Sequence, residues 1–515
     1  MNSIAKIPGI ENVLLIVADM WRGDHLRATG HPLLDLPHLE SLAAEGVTFT
    51  RHFTQAAPCG PARTSLLTGQ YMMTHRVVQN STPLNADFTN IALETRQAGY
   101  DPSLIGFTTT TPDPRRTSSN DPRFFILGDV MEGWREVTSF SNDNNPYIGY
   151  LRRIGIEAPL GHDTFWEPKE GPLGPSVSPS KVPAHLSDTA WLTNIGLDYL
   201  HARLGSKWFL HLGFYRPHPP YISPDPYHEM FDPANLPRAV RANSKEIEAE
   251  AHPLLDYYIN SISQEGFFVG AKGLAADLTE EDIQITRAAY CGMIKEIDKH
   301  LERVFAFLKD TGQWDKTLII FTSDHGDQLG DHFLFGKQGY FDESFHIPLI
   351  VRDPRPEADP GRGRIVKNFT EHVDLMPTIL NWIGLPIPRQ CDGRSLLPVC
   401  RNAPPADWRE PVHYEYDFRN CVTQQPQEML GLKMGDCNLA VLQDEHFKYV
   451  HFAALPPLFF DLEKDPNQFT NVADDPTYAS KVLSYAQDML SWRMRHADRR
   501  LTGFSASPDG LVSRT

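Results

Sequence analysis

The segment PCGPARTSLLTG, Pro58 to Gly69, sets Cys59 just ahead of Pro61 and Arg63 at the mouth of a predicted helix. A cysteine is a competent nucleophile, and an arginine offers a fork suited to tetrahedral oxyanions. Two other stretches carry metal-type residues at predicted strand ends, where ligand sites of open α/β sheets gather. LLIVAD ends in Asp19, and LIIFTSDHGD places Asp324 and His325 just past its apolar run. Carboxylate oxygen and imidazole nitrogen together suit a divalent cation. Asp19 by itself would equally well cap the next helix. A third strand, in WFLHLGFYRPHPPY, ends in Arg216, His218 and three prolines, which deny the backbone further ladder bonds and stop the strand. By residue type alone His218 is a structural loop histidine. His211, inside the strand, is a satisfied core or supporting histidine, and Lys337, in LFGKQGYF, is a solvated lysine.

The elements that must position these groups are legible as alternating strands and helices. NVLLIVAD is a continuous apolar run, as in a strand buried on both faces. Similar runs recur at SKWFLHLGFY and KTLIIFTSD. Between them lie helical patterns: one near PLLDLPHLESLAAEGV, stopped by Gly46, and one in EEDIQITRAAYCGMIKEIDKHLERVFAFLKDTG. In the latter Ile285, Ala288, Ala289, Met293, Ile297, Leu301, Val304 and Leu308 recur at three- and four-residue steps. The fold class is α/β, with a largely parallel central sheet between helices. Near residue 400 the pattern changes. CRNAPPADWREP reads as a linker, followed by the shorter strands VHYEYDF, FKYVHFA and PLFFDL and the amphipathic helix TYASKVLSYAQDMLSWRMRH. The expected division is a catalytic α/β domain over 1–400 and a smaller subdomain over 401–515 with an antiparallel sheet, a helix and a polar tail. That tail is either a disordered end or a subunit-contact arm.

Composition narrows the function classes. The 515 residues carry a formal net charge of −17, a poor match for nucleic acid or an anionic membrane. Positive charge facing an anionic substrate must therefore be concentrated in a site. The apolar run Val13 to Ala18 is too short for a signal peptide, and no stretch of about 18 apolar residues predicts a membrane span. The six cysteines show neither C-x-x-C nor zinc spacing, so reduced thiols in a cytoplasmic protein are expected.

Taken together, Cys59, Pro61, Arg63, Leu66, Leu67, Thr68 and Gly69 resemble the C-x-P-x-R signature of the type I sulfatase family of the alkaline phosphatase superfamily. In that family the cysteine is oxidised to formylglycine. PCGPARTSLLTGQYMMTHRVVQN, GFTTTTPDPRRTSSNDPRF, HLGFYRPHPPY, IIFTSDHGDQLGDH and HFAALPPLFFDL look like the phosphonate monoester hydrolase and phosphodiesterase subgroup, across nearly the whole chain. The resemblance implies an alkaline phosphatase-like α/β/α sandwich with a mixed, mostly parallel sheet. It implies one divalent metal ion (Mn²⁺, Ca²⁺ or Zn²⁺) on Asp19, Cys59, Asp324 and His325. Cys59, Arg63, His218 and Lys337 are the implied catalytic residues, and Asn80, Phe107 and Thr109 line the substrate. The implied partners are a small anionic ester, a formylglycine-generating or equivalent modifying enzyme, and further copies of the chain in a dimer or tetramer.

Three positions depart from the subgroup. Met20 stands where an amide or carboxylate usually follows the first metal aspartate, and a thioether is a poor ligand for hard cations. Phe107 replaces a tyrosine and removes a hydroxyl from the pocket. His346, in FHIPLIV, replaces an arginine common in sulfatases and reads as structural or supporting. The aldehyde that the resemblance implies also accounts for the cysteine. A thiol nucleophile would need a second attack at the same phosphorus or sulfur. A hydrated aldehyde offers one hydroxyl for attack and another whose deprotonation releases the group by C–O cleavage. Phosphodiesters, phosphonate monoesters and sulfate monoesters, all singly charged, are then substrates of one site. An arylsulfatase with phosphorus side activities is the alternative reading, and a ligand-binding relative with a decayed site is a further one.

Overall fold

The structure, a computed structural model, describes residues 12–140, 144–158 and 164–513. The first eleven residues of the N-terminal segment weighed above lie outside it. Before residue 400 the described chain forms strands β1 (Asn12–Asp19), β2 (Val47–Phe53), β3 (Ala56–Ala57), β4 (Pro102–Gly106), β5 (Arg135–Ser139), β6 (Phe209–Pro217), β7 (Thr317–Ser323), β8 (His346–Arg352), β9 (Arg364–Val366) and β10 (Thr370–Glu371). All but β3 join one mixed sheet in the order β10-β2-β8-β7-β1-β6-β4-β5, with β9 also on β2. The run β7-β1-β6-β4-β5 is parallel. Strand β8 runs antiparallel to both its neighbours.

The apolar run of β1 is explained by two cores. Val13, Leu15 and Val17 enter one, and Leu14, Ile16 and Ala18 the other. Helices Pro37–Glu45, Asp188–Ala202 and Glu280–Asp310 cover the second face, and Cys59–Thr68 and Leu375–Trp382 the first. The result is an α/β/α sandwich. In the long helix the Met293, Ile297, Leu301, Val304 and Leu308 stripe is buried. Ile285 is only half-buried, and Ile283 faces the core in its stead. Gly46 does end the first helix, but not through a left-handed turn, for its φ is −123°. A Cβ there would stand 2.6 Å from the Val351 carbonyl oxygen, so the close approach of β8 demands glycine.

Strand β6 ends at the prolines, as expected: it runs through Arg216 to Pro217, and a register shift after Ala18 pairs Asp19 with Pro217. This irregularity sets the Asp19 end of β1 beside the loop that carries His218.

After the loop at 401–411 come β11 (Val412–Asp417), β12 (Asn438–Gln443), β13 (Phe447–Phe452) and β14 (Leu458–Asp461), an antiparallel meander. Strand β3 joins its edge, parallel to β11. Helix Ala479–Arg495 lays Met489 against Leu442, Tyr449 and Phe459, and Trp492 against Tyr71 and Val373. The described part of the tail, to Ser513, is docked near its start and ends in a hairpin. Arg499 Nη2 donates to the Cys391 carbonyl at 2.6 Å, and a hairpin of β15 (Phe504–Ser507) and β16 (Gly510–Ser513) follows. No described helix is long and apolar enough to cross a membrane.

Candidate active site

Asp19 closes β1, Asp324 and His325 follow β7, and Cys59 opens the helix Cys59–Thr68. Two parallel neighbours and one helix N-terminus thus bring four ligand-type side chains together at the carboxyl edge of the sheet. All four are buried, and one ligand atom from each lies within 4.8 Å of the others. His325 Nδ1 donates to the Gly326 carbonyl at 3.0 Å, which leaves Nε2 as a lone pair 3.3 Å from Cys59 Sγ. Burial lowers His325 to about 3, against the pull of Asp324, so the ring is neutral at physiological pH.

Arg63, with no solvent exposure, ties the carboxylates together. Its Nε donates to Asp324 Oδ2 at 2.9 Å, and its Nη2 lies 3.5 Å from Asp19 Oδ2. Its Nη1 donates to the Phe107 carbonyl at 2.9 Å. One guanidinium for two buried carboxylates leaves them in conflict. Burial, and then the Asp324 charge, push Asp19 up to about 7. Burial would also raise Asp324, but His325, Arg63 and Lys337 together hold it below the usual carboxylate range. The donor set of two carboxylates, a neutral imidazole and a sulfur position fits a divalent cation, whose charge would resolve that conflict. The Cys59 thiol is pushed up to about 12, by burial and then by Asp19, so the protein's own charges favour thiol over thiolate.

Lys337 is not the solvated lysine of the residue-type reading. Its Nζ lies 3.4 Å from Cys59 Sγ, 3.3 Å from His218 Nε2 and 3.5 Å from Met20 Sδ. Burial opposes its charge, yet Cys59, Asp19 and Asp324 keep its pKa above the ordinary value. His218 Nδ1 donates to the Pro219 carbonyl at 2.7 Å. Burial, then Lys337, lower His218 well below an ordinary histidine, so it is neutral and Nε2 accepts from Lys337. Asn80 Oδ1 accepts from the Gly60 amide at 2.8 Å and so fixes the backbone just after Cys59. Thr109 is buried with φ of 55°, and its carbonyl oxygen lies 3.2 Å from where a Gly60 Cβ would be. All the residues expected at the site therefore meet there or directly frame it.

The three departures have visible roles. Met20 takes a left-handed φ of 67°, donates its amide to Asp324 Oδ1 at 3.2 Å and aims its sulfur at Lys337. The Phe107 ring lies under the Arg63 guanidinium carbon at 3.9 Å, a cation–π contact. His346 Nε2 donates to the Thr50 carbonyl at 2.9 Å, and its ring fills the space where a Gly23 Cβ would sit, 2.7 Å away.

Of the two expectations for His211, the supporting one fits: the ring is fully buried and neither nitrogen has a protein hydrogen-bond partner. Burial, then Arg63, lower it to about 3, and it sits neutral behind the site. Sequence reasoning missed Tyr290 and Ser323. Tyr290 Oη donates to the Met20 carbonyl at 2.5 Å and accepts from the Arg22 amide at 2.9 Å. Ser323 Oγ accepts from the Trp21 amide at 2.8 Å. Both shape the Met20 turn from hundreds of residues away, and nothing local marks them. A second buried trio, His25, His31 and Cys291, also lies within mutual ligand reach. There His31 Nδ1 accepts from the Leu34 amide at 3.1 Å, so its proton is on Nε2 and the trio lacks three free lone pairs.

Comparison with known proteins agrees with this geometry. Residues 11–385 match the family described as Sulfatase, and residues 330–495 match N-sulphoglucosamine sulphohydrolase, C-terminal. Over 511 residues the chain is 52% identical to the Multifunctional alkaline phosphatase superfamily protein PehA of Trinickia caryophylli, covering 98% of this chain and 99% of that one. The structure is similar to that of the phosphonate monoester hydrolase of Agrobacterium radiobacter, with a TM-score of 0.95 and 42% identity over 98% of this chain and 100% of that one. It is similar also to the phosphonate monoester hydrolase SpPMH of Silicibacter pomeroyi, with a TM-score of 0.92 and 39% identity over 98% and 99%. A cysteine at a helix mouth, an arginine bridging two carboxylates and a likeness running the length of the chain lead to one assignment: the protein belongs to the sulfatase family of the alkaline phosphatase superfamily.

Proposed function

We propose that this chain is a metal-dependent hydrolase of phosphonate monoesters and phosphodiesters, with sulfatase activity alongside, that works through formylglycine made from Cys59. The observation that carries the reading is the meeting of Cys59 with Arg63, Lys337 and the Asp19–Asp324–His325 set in one buried site. Likeness to two phosphonate monoester hydrolases over nearly the whole chain supports the phosphorus esters. Asp19, Asp324, His325 and the converted Cys59 would hold one divalent cation (Mn²⁺, Ca²⁺ or Zn²⁺). Once bound, that cation supplies Lewis acidity and lowers the pKa of an oxygen nucleophile. The hydrated aldehyde supplies that oxygen, together with a second hydroxyl for release.

The chain's own residues do the rest. Arg63, immobilised by Asp324 and the Phe107 carbonyl, presents fixed positive charge to the equatorial oxygens of the transferred group. Asn80, through the Gly60 amide, holds residue 59 at the helix mouth. Lys337 donates the proton to the leaving oxygen, and neutral His218 orients its ammonium. Asn80, Phe107 and Thr109 frame the substrate's anionic group.

Three further points belong to the same reading. The cell must supply a formylglycine-generating or equivalent enzyme. The free thiols of Cys291, Cys391, Cys400, Cys421 and Cys437 support a cytoplasmic location. Exposed Leu501 and Leu511, around the terminal hairpin, support a homo-oligomer, and we take 1–400 and 401–515 as catalytic domain and subdomain. The test is kcat/KM for a matched aryl phosphonate monoester, aryl phosphodiester and aryl sulfate with metal-loaded enzyme. Preference for the sulfate makes it an arylsulfatase, and turnover of none makes it a binding relative.

A further inference from the structure

Two loops bring His218 and Lys337 together, and neither belongs to the metal-ligand set. The first is the proline-rich turn after β6, which continues to Tyr221. The second runs from Asp327 to Gly336 and delivers Lys337. Asp327 is fully buried and lies where the two meet. Its Oδ1 accepts from the Leu329 amide at 3.0 Å and the Gly336 amide at 2.9 Å, closing the second loop one residue before Lys337. Its Oδ2 accepts from the hydroxyl of Tyr221 in a short hydrogen bond. Tyr221 is itself buried. Its amide donates to the Phe267 carbonyl at 3.1 Å, and its ring stacks on Phe267. The Gln328 amide donates to the Gly336 carbonyl at 2.7 Å, which makes the second loop a closed unit.

We infer that Asp327 and Tyr221 are positioning residues for the leaving-group proton donor: their hydrogen bond locks the His218 turn to the Lys337 loop and sets the Lys337–His218 contact. The carboxylate makes no hydrogen bond to the Lys337 ammonium, although the two charges attract each other; its hydrogen bonds go to the loop amides and the Tyr221 hydroxyl, so it acts on Lys337 by holding the loop that carries it. Three acceptor contacts on one buried carboxylate make a rigid strut, and a misplacement of about 1 Å at a reacting group can cost on the order of 100-fold in rate. The inference rests on the proposed ester hydrolysis for its kinetic signature but not for its structural one.

Tyr221→Phe removes one hydroxyl and keeps the ring on Phe267. Metal-loaded Tyr221→Phe should lose roughly 10- to 100-fold in kcat/KM for esters with a phenol or alcohol leaving group, and under about 3-fold for nitrophenyl esters. Asp327→Asn keeps an acceptor for the two amides and should fall between wild type and Tyr221→Phe. Crystal structures of wild type and Tyr221→Phe give a reading independent of substrate. The Lys337 Nζ to His218 Nε2 separation should widen beyond hydrogen-bond range in the variant. Equal losses for good and poor leaving groups, or a variant structure in which the 3.3 Å contact persists, overturn the inference. A wild-type enzyme that turns over no ester sinks the proposed function instead, while the two structures still decide the strut.

Discussion

Lys337 Nζ approaches Nε2 of His218 at 3.3 Å, while the other ring nitrogen of His218 is engaged by the Pro219 carbonyl at 2.7 Å. A neutral histidine so arranged accepts a hydrogen bond from the lysine at Nε2 and has no proton there to offer a leaving group. The sequence reading puts His218 first for the acid role and Lys337 next, and this arrangement favours the reverse order. Lys337→Ala should therefore lower kcat/KM for alkyl and phenyl esters by roughly 10²–10⁴-fold and for nitrophenyl esters far less. His218→Ala should lose less for the same poor leaving groups. A Brønsted plot against leaving-group pKa for both variants checks this. A steeper slope for His218→Ala than for Lys337→Ala would return the acid role to the histidine.

Cys59 in active protein should be formylglycine in part or whole. The tryptic peptide that contains it should weigh about 18 Da less than the thiol form, the difference between CH₂SH and CHO. Cys59→Ala should abolish turnover with little change in melting temperature. Full activity from an unmodified thiol would refute the aldehyde mechanism.

The Asp19 carboxyl ties metal and pH together. Its pKa rises from 3.8 to about 7 on folding, so the fold favours the protonated form. The contribution to stability is complete below about pH 4 and is lost as pH rises through 7. Metal-free protein should lose thermal stability across that window relative to Asp19→Asn, which has no such carboxylate. Adding Mn²⁺ should close the gap above pH 7. Differential scanning calorimetry with and without chelator measures both, and parallel curves for the two proteins would refute the assignment.

Asp324→Asn and His325→Ala should each weaken metal binding, and the double variant should be little worse than either one, because ligands of a single ion act as a unit. Isothermal titration with Mn²⁺ decides. Additive losses would separate the two roles.

Met20→Gln should keep or raise metal affinity. The backbone at residue 20 is left-handed, and glutamine meets the same conformational penalty there as methionine. Lower affinity by the same titration would show that the space beside Lys337 admits a thioether but no amide.

The sheet was legible in its local apolar runs, and the cluster of Asp19, Cys59, Asp324 and His325 in the resemblance to the sulfatase signature, since the local signals at Asp19 and Asp324–His325 are weak by themselves. β1 is apolar on both faces, Asp19 and Asp324–His325 cap strands, and the C-x-P-x-R run is specific. Other features needed distance information. Strand β12, NLAVLQ, was passed over because a short apolar run fits a buried helix as well as a strand. The register shift that sets Pro217 opposite Asp19 depends on β1, which no window of β6 contains. His211 was open between a satisfied core and a supporting histidine, and only its place behind Arg63, with no protein partner at either nitrogen, favours the second. Lys337 and Phe107 took their roles from Cys59 and Arg63, far away in sequence.

The edge strand Ala56–Ala57 has a bearing on how the protein is made. It ends just before Pro58 and Cys59, and its partner in the small sheet is β11, which emerges from the ribosome hundreds of residues later. Until then the helix mouth lacks its flanking strand, and afterwards Cys59 is 5% exposed. At about 5–20 residues per second of synthesis that interval lasts on the order of tens of seconds. On the proposed mechanism a modifying enzyme that acts on Cys59 works against this clock, and slow or absent conversion would leave a correctly folded but silent molecule.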